Sequence, residues 1–144
     1  TNCIAYLKTE RPLRKLQLRG NNLPWVDSGK HLGNNIGNVM DGMKKDMLIK
    51  RARYIDKNNE LCQEFYFAHH KSKLQVNQIF KMHFTGSPLW DLFSREAEMD
   101  ENTYNSSVRI MCNLPRETHR FFIEPLTDTI HLKSILIKRF ISFI

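Results

Sequence analysis

The histidines and cysteines of this chain are the residues whose types could support metal chemistry. His69 and His70 are adjacent, so on a helix their side chains would point about 100 degrees apart and could not both reach one ion. Cys112, His119 and His131 have 6 and 11 residues between them, without the paired short spacings of a zinc site. The sequence therefore predicts no metal and no other cofactor in this chain.

Nucleophilic catalysis has equally few candidates. Thr118 places a hydroxyl beside His119, but neighbours in sequence on a helix do not face each other. The sequence contains no G-x-S-x-G elbow, no P-loop and no G-x-G-x-x-G motif. Carboxylates gather only in one polar, loop-like stretch, at Glu96, Glu98, Asp100 and Glu101. We therefore expect Thr118, His119 and Arg120 to organise helix packing, and a phosphate contact by Arg116 or Arg120 stays open.

The net charge of +7 is unevenly distributed along the 144 residues. Residues 1–57 contain 12 Lys or Arg and 5 Asp or Glu, whereas residues 58–144 contain 10 of each kind. Such an asymmetry is typical of a surface that faces phosphate, and its alternative is a solvated basic face without a specific ligand. Trp25 and Tyr54, each near basic residues, are candidates for contacts with a sugar or base, and the alternative is that both are core residues.

Compartment and chain boundaries follow from three further features. The three cysteines are odd in number and widely spaced, which predicts reduced thiols in an intracellular protein of the nucleus or cytoplasm. No apolar run approaches the roughly 18 residues that cross a bilayer, so no membrane partner is expected. The chain starts at Thr1 without an initiator Met or a signal pattern, and we expect it to be a fragment of a longer protein.

The first 35 residues alternate between short apolar segments and turn residues, which predicts a small antiparallel β region. The turn at residues 20–22, Gly-Asn-Asn, tolerates positive φ, so the flanking segments should pair as a hairpin. The strands are predicted at residues 3–7, 15–19, 23–26 and 30–33, the last of them ending on glycine.

From Ile36 onwards, apolar residues recur three and four apart, which predicts helices. The first helix is predicted to have a basic far face and to bury Ile36, Met40, Met43, Met47, Leu48, Ala52 and Ile55. Further helices are predicted over 60–68 with Asn58 or Asn59 as N-cap, from Ser72, over 89–95, from Asn102, over 117–123, and from Asp128 or Thr129. Their predicted inward residues include Ile79, Tyr104, Val108, Met111, Leu132, Leu136, Phe140 and Phe143. The fold class is α+β, mostly α: a short N-terminal antiparallel β-hairpin region followed by a helical bundle.

Four motifs carry a resemblance to a known family. NNLPWVDSGKHLGNNI at 21–36 resembles the stretch that follows the catalytic palm in reverse transcriptases of LINE-type, non-LTR retrotransposons. FTGSPLWDLFS at 84–94 and NLPRETHRFFIEPL at 113–126 resemble signatures further along in the same family. TNCIAYL at 1–7 is similar to the tail of the strand that precedes them, and the order of the motifs is the family's order over nearly the whole chain.

The resemblance implies three regions and a set of site residues. Residues 1–35 would be the end of the palm with the primer-grip hairpin, 36–84 thumb-like helices, and 85–144 a post-thumb helical region. The primer grip, which holds the 3′ end of the primer, would comprise Lys30, His31, Leu32 and Gly33. The thumb helix would follow the phosphates of the duplex by shape and charge, with Lys44, Lys45, Lys50, Arg51 and Arg53.

The same resemblance implies the partners and the chemistry. The parent enzyme would be an RNA-directed DNA polymerase whose partners are an RNA–DNA duplex, or an RNA template with a DNA primer. The upstream palm and fingers of the same polyprotein would hold two Mg²⁺ ions on aspartates that precede Thr1, and no F-x-D-D-type motif occurs in this chain. We therefore expect the fragment alone to be catalytically inactive.

Two alternatives from other classes remain. The chain would then be a non-catalytic, basic helical module that binds nucleic acid without any link to polymerisation, or a degenerate structural remnant whose charge serves only solubility. A steep fall of affinity with salt separates phosphate binding from a solubility face, and a preference for an RNA–DNA hybrid over single strands favours the polymerase interpretation.

Overall fold

The computed structural model of the protein describes residues 3–4, 14–31, 33–37, 41–80, 84 and 86–144. Within these residues it contains five α-helices and four short β-strands paired as two antiparallel hairpins near the N-terminus. The predicted fold class, α+β and mostly α, is confirmed. The chain divides into two compact units, Thr1–Asp46 and Met47–Ile144.

The first unit is built on the two hairpins. Strand β1 (Leu16–Leu18) pairs with β2 (Asn21–Leu23), and β3 (Ser28–His31) pairs with β4 (Asn34–Gly37). The first turn consists of two residues with positive φ, Arg19 at 53° and Gly20 at 80°. This turn geometry matches the right-handed twist of the flanking strands, and it places the turn one residue earlier than the predicted 20–22.

The second hairpin corrects the predicted boundary between strand and helix. The strand predicted at 30–33 is the end of β3 followed by a turn, in which Gly33 has φ 83°. The chain then returns as β4, so Ile36, predicted as the first helical residue, lies in a strand. Of the predicted strand 3–7, Cys3 forms a parallel bridge with Trp25, whereas residues 5–7 lie outside the described residues.

Helix α1 (Asp41–Glu64) begins against strand β4 because both elements provide a glycine at the contact. A Cβ atom on Gly42 would overlap the backbone of Gly37, so only glycine allows this approach. One turn later the buried carboxylate of Asp46 accepts a hydrogen bond from the backbone N–H of Asn35, at 2.9 Å. The start of the helix and the second hairpin are therefore joined by a close glycine–glycine backbone contact and by a hydrogen bond to a side-chain carboxylate.

Helix α1 is continuous, and the predicted break at Asn58 is wrong. The Asn58 side chain does not cap a new helix: it is buried, and its Nδ2 donates to the Tyr54 carbonyl one turn earlier, at 2.9 Å. Asparagine can make this local bond in a helix interior as well as at an N-cap, so its presence alone did not locate a boundary. The first two predicted helices are therefore one.

The second unit contains the remaining four helices: α2 (His70–Phe80), α3 (Arg95–Met111), α4 (Arg120–Thr127) and α5 (Leu132–Phe143). Instead of the predicted helix at 89–95, a 3₁₀ turn (Ser87–Leu89) is followed by Ser94, whose hydroxyl caps α3 by accepting from the Ala97 N–H at 3.3 Å. The predicted cap Asn102 therefore lies within α3. The four carboxylates at positions 96, 98, 100 and 101, which were predicted to lie in a loop-like stretch, occupy the first two turns of this helix. Helices α2 and α4 begin two residues before and three residues after their predicted starts, respectively.

An aromatic cluster forms the core of the second unit. The Tyr54 ring lies 5.3 Å from Phe84 and 6.2 Å from Tyr104 between centroids, and Phe84 meets Trp90 edge-on at 6.0 Å. The predicted burial of Tyr104, Val108, Met111, Leu132 and Leu136 is confirmed. Ile79, Phe140 and Phe143 were also predicted to face inward, but they are exposed.

The buried face of α1 differs from the predicted one. Leu48 is 63% exposed, and Ala52 and Ile55 are exposed as well. Met47 is buried as predicted, together with Tyr54 and Leu61. Polar residues accompany them on the buried face because each one finds a partner there, as Tyr54 does by donating its hydroxyl to Asn77 Oδ1 at 3.1 Å. The apolar spacing alone therefore identified only part of the buried face.

Candidate nucleic-acid interface

The four predicted primer-grip residues lie in and around the second hairpin. Lys30 and His31 are exposed at the end of β3, Gly33 is exposed in the turn, and Leu32 lies outside the described residues. Successive strand residues point to opposite faces, so Lys30 and His31 cannot both contact a ligand that lies on one face. A Cβ on Gly29 would meet the Ile4 side chain at 3.3 Å, so Lys30 points away from the face that Ile4 covers.

Lys44 and Lys45 belong to the same unit, in the first turns of α1. Both are exposed, whereas Gly42 and Asp46 of the same turns are buried and contact β4. The first unit contains 8 Lys or Arg and 4 Asp or Glu, so its net charge is +4. Lys30, Lys44 and Lys45 are exposed cations of this unit.

Lys50 differs from the other predicted thumb cations because it is only 3% exposed. Its ammonium lies over the Trp90 ring, 5.3 Å from the centroid, which is the geometry of a cation–π contact. The alkyl stem of such a lysine is packed while its charge interacts with the ring, so Lys50 contributes to the core of the second unit. The predicted basic far face of α1 is therefore wrong for Lys50.

Arg51 is held by a carboxylate of α3. Its Nε donates to Asp100 Oδ1 at 2.5 Å, and its Nη2 donates to the Glu96 carbonyl at 3.0 Å. Asp100 is fully buried, and burial raises its pKa from 3.8 to about 6 although the Arg51 guanidinium opposes that shift. Arg51 thus has a structural partner in α3, and of the three predicted thumb cations in the second unit only Arg53 is exposed.

The two aromatic candidates have defined surroundings. Tyr54 is completely buried at the centre of the second unit. It is therefore a core residue, which was the alternative to a contact with a sugar or base. Trp25 is half-buried in the first unit, and its indole N–H donates to the Arg14 carbonyl at 3.0 Å.

Of the segment Thr118–His119–Arg120, only Thr118 contacts another helix, whereas the His119 and Arg120 side chains are exposed. Arg109 of α3 donates twice to the Thr118 carbonyl, at 3.0 and 2.9 Å, which ties the loop to that helix. His119 is the N-cap of α4, and its ring stacks on Phe121 at 5.1 Å, with the Arg120 guanidinium 5.6 Å from the same ring. A phosphate contact by Arg120 stays a prediction.

A surface that the sequence pattern did not identify lies between α1 and α2. Residues 65–70, Phe-Tyr-Phe-Ala-His-His, form a turn that we call the aromatic turn. These residues include the end of the helix predicted over 60–68, yet Tyr66 and Phe67 are 78% and 75% exposed. One signal in the sequence could have identified it: no Asp or Glu occurs between residues 65 and 90.

The described part of the chain contains neither a cluster of metal ligands nor a membrane-spanning helix. No three His, Cys, Asp or Glu side chains gather there in an arrangement that could hold a metal ion. Among the same residues, no helix combines the length and the apolar character required to cross a bilayer. Comparison of the chain with family models, with curated proteins and with solved structures finds no match.

Proposed function

We propose that this chain is the primer-grip and thumb portion of a LINE-type, non-LTR reverse transcriptase, and that it holds the primer–template duplex. The observation that carries the proposal is the second hairpin, in which exposed Lys30 and His31 lead into a glycine turn at the position of the family's primer grip. The order of the four motifs along the chain supports the same assignment.

Charge and exposure support a contact with the phosphate backbone. Lys30, Lys44 and Lys45 are exposed in a unit with a net charge of +4. Lysines at exposed helix and strand positions act on phosphates as point charges and do not read sequence, which suits an enzyme that copies any template. Lys50 and Arg51 take no part in the proposal because core packing and Asp100 engage their side chains.

The chemistry of polymerisation belongs to the upstream region in this proposal. Two Mg²⁺ ions, when bound there, would stabilise the charge that develops during nucleotidyl transfer. The described residues of this chain would position the duplex and would not hold the ions. The chain by itself is therefore expected to bind an RNA–DNA hybrid without extending a primer.

The proposal is tested by charge reversal with a matched control. The variant Lys30→Glu/Lys44→Glu/Lys45→Glu and the control Lys138→Glu, an exposed lysine of α5, are titrated with a labelled RNA–DNA hybrid between about 50 and 200 mM salt. We expect the triple variant to lose roughly tenfold or more in affinity and to show a shallower dependence on salt, by about 0.7–0.9 per lost phosphate contact. The control should bind like the unchanged chain.

Three results separate the proposal from its rivals. Equal affinity of the triple variant and the control would remove the thumb and primer-grip assignment. Equal affinity of the unchanged chain for the hybrid and for double-stranded DNA would favour a generic basic module. No binding at any salt concentration would leave the basic residues as a solubility feature of a structural remnant.

A further inference from the structure

The aromatic turn presents two ring faces to solvent. Tyr66 and Phe67 are packed edge to face, with centroids 5.5 Å apart and an interplanar angle of 89°, and both are largely exposed. An edge-to-face pair leaves a broad ring face uncovered, and exposed aromatic neighbours of this kind mark an interaction surface more often than a scattered surface residue does.

Backbone hydrogen bonds give the aromatic turn a defined shape. The Phe65 N–H donates to the Leu61 carbonyl and the Ala68 N–H to the Phe65 carbonyl, each at 3.0 Å. From α2, the ammonium of Lys73 donates to the Tyr66 carbonyl at 3.1 Å. Phe65 itself lines a groove beside Leu61 and Phe80, which anchors the turn between the two helices. The exposed rings therefore stand on an ordered support.

The charged residues that follow the rings along the chain are cations. Lys71 and Lys73 follow the aromatic turn directly, and the exposed His69 and His70 rings are tilted by 36°, with centroids 3.9 Å apart. The first turn of α2 carries no acidic residue, and the next carboxylate after Glu64 is Asp91. Rings with open faces next to cations are the combination that binds unpaired bases and the phosphates that link them.

We propose that the aromatic turn binds single-stranded nucleic acid, with bases stacked on Tyr66 and Phe67 and with a phosphate on Lys71. Every base has a π face, so this surface would accept any sequence, provided that the bases are unpaired. The inference goes beyond the proposed function and does not depend on it, because none of the cations assigned to the duplex takes part.

The test compares an oligonucleotide with a backbone that has no bases. A labelled oligouridylate of about 10 nucleotides and an abasic strand of the same length are titrated against the full chain by fluorescence anisotropy. We expect Tyr66→Ala/Phe67→Ala to weaken binding of the oligouridylate by roughly fivefold or more per ring, and to leave binding of the abasic strand unchanged. Both side chains are exposed, so the variants should fold, which circular dichroism checks.

Two matched variants separate stacking from apolar area. Tyr66→Leu/Phe67→Leu keeps most of the apolar surface without a ring and should bind as weakly as the alanine variant. The exchange Tyr66→Phe/Phe67→Tyr keeps both rings and should bind like the unchanged chain. Lys71→Glu should weaken the binding of both strands, because its phosphate contact does not require a base.

Several outcomes would overturn the inference. They are wild-type affinity of the leucine variant, equal affinity of the unchanged chain for the two strands, and no binding of oligouridylate. Binding of phosphatidylcholine vesicles through Tyr66 and Phe67 without binding of oligouridylate would assign the surface to a membrane instead. The duplex variants are measured in the same assay: if they bind oligouridylate normally but also bind the hybrid normally, the proposed function fails and this inference stands.

Discussion

Replacing Arg51 by methionine tests whether this residue stabilises the fold or serves a ligand. Asp100 is fully buried, and its Oδ2 has no hydrogen-bond partner among the described residues, so Arg51 provides its compensating charge. Methionine approximately keeps the length of the stem but removes both hydrogen bonds, to Asp100 and to the Glu96 carbonyl. The variant therefore leaves a carboxylate in the core without its cation.

The expected loss is large because the remaining partner stays buried. Removing one member of a buried ion pair typically costs about 3–5 kcal/mol, far more than the loss of an exposed pair. With a denaturant dependence of about 1–3 kcal/mol per M in urea, the unfolding midpoint should fall by roughly 1 M or more. If Arg51 instead faced a ligand in solution, the same substitution would shift the midpoint little.

The pH dependence gives the loss a recognisable signature. Burial raises the pKa of Asp100 from 3.8 to about 6, so the contribution of this residue to stability is complete below about pH 4 and is lost as the pH rises through about 6. Without Arg51, which favours the ionised form, the pKa should rise further. The difference in stability between the two proteins should therefore be large at about pH 7.5 and smaller at about pH 5, where Asp100 is mostly protonated in both folds.

The measurement is urea unfolding followed by circular dichroism at both pH values. Lys57→Met serves as the matched control, because Lys57 pairs with Glu60 on the exposed surface of the same helix and its loss should have no measurable effect. In Arg51→Met/Asp100→Leu, which removes both charges, most of the lost stability should return. An Arg51→Met midpoint equal to that of the control, or a loss of the same size at both pH values, would refute the structural role of the pair.

Two further predictions concern a pair of glycines and a buried tyrosine. Gly33→Ala should destabilise the fold by about 1–2 kcal/mol because Gly33 has a φ of 83°, and Gly33→Asn should destabilise it less because asparagine tolerates this region. Gly42→Ala should destabilise the fold more than Gly33→Ala, because its Cβ would overlap the Gly37 backbone. Gly42→Asn should be no less destabilising than Gly42→Ala, because asparagine also has a Cβ. Equal urea midpoints for the alanine and asparagine variants at position 33 would contradict the turn geometry. Tyr54→Phe should cost about 1–3 kcal/mol because it leaves the buried Asn77 Oδ1 without its donor, and a calorimetric melting temperature equal to that of the unchanged chain would contradict this role.

Local patterns predicted the type of most elements but not their limits. The β region was expected, and its two-residue turns contain the positive-φ glycines, Gly20 and Gly33. The break predicted at Asn58 failed because the same side chain bonds one turn back within a continuous helix. The start of α3 was placed eight residues too late because Asn102 is as plausible an N-cap as Ser94 when only the sequence is considered.

The candidate interface was predictable only in part, because a cation's type does not reveal whether it is available. Lys30, Lys44 and Lys45 are exposed, as a basic surface requires. Lys50 lies on the same helix, yet its charge contacts an aromatic ring of the core. The aromatic turn was not predicted as a surface because an aromatic residue at helical spacing is usually buried. Tyr66 is exposed instead.

The sequence by itself determined the division into a β region and helices, the concentration of charge in the first 57 residues, and the lack of recognisable catalytic motifs. Those properties depend on composition and on neighbours a few positions apart. The tertiary structure alone decided which face of α1 is buried, because the partners of that face are distant: Asn77 lies 23 residues beyond Tyr54, and Asp100 lies 49 beyond Arg51. A polar side chain becomes a core residue only when folding brings it such a partner, and no local period contains that information.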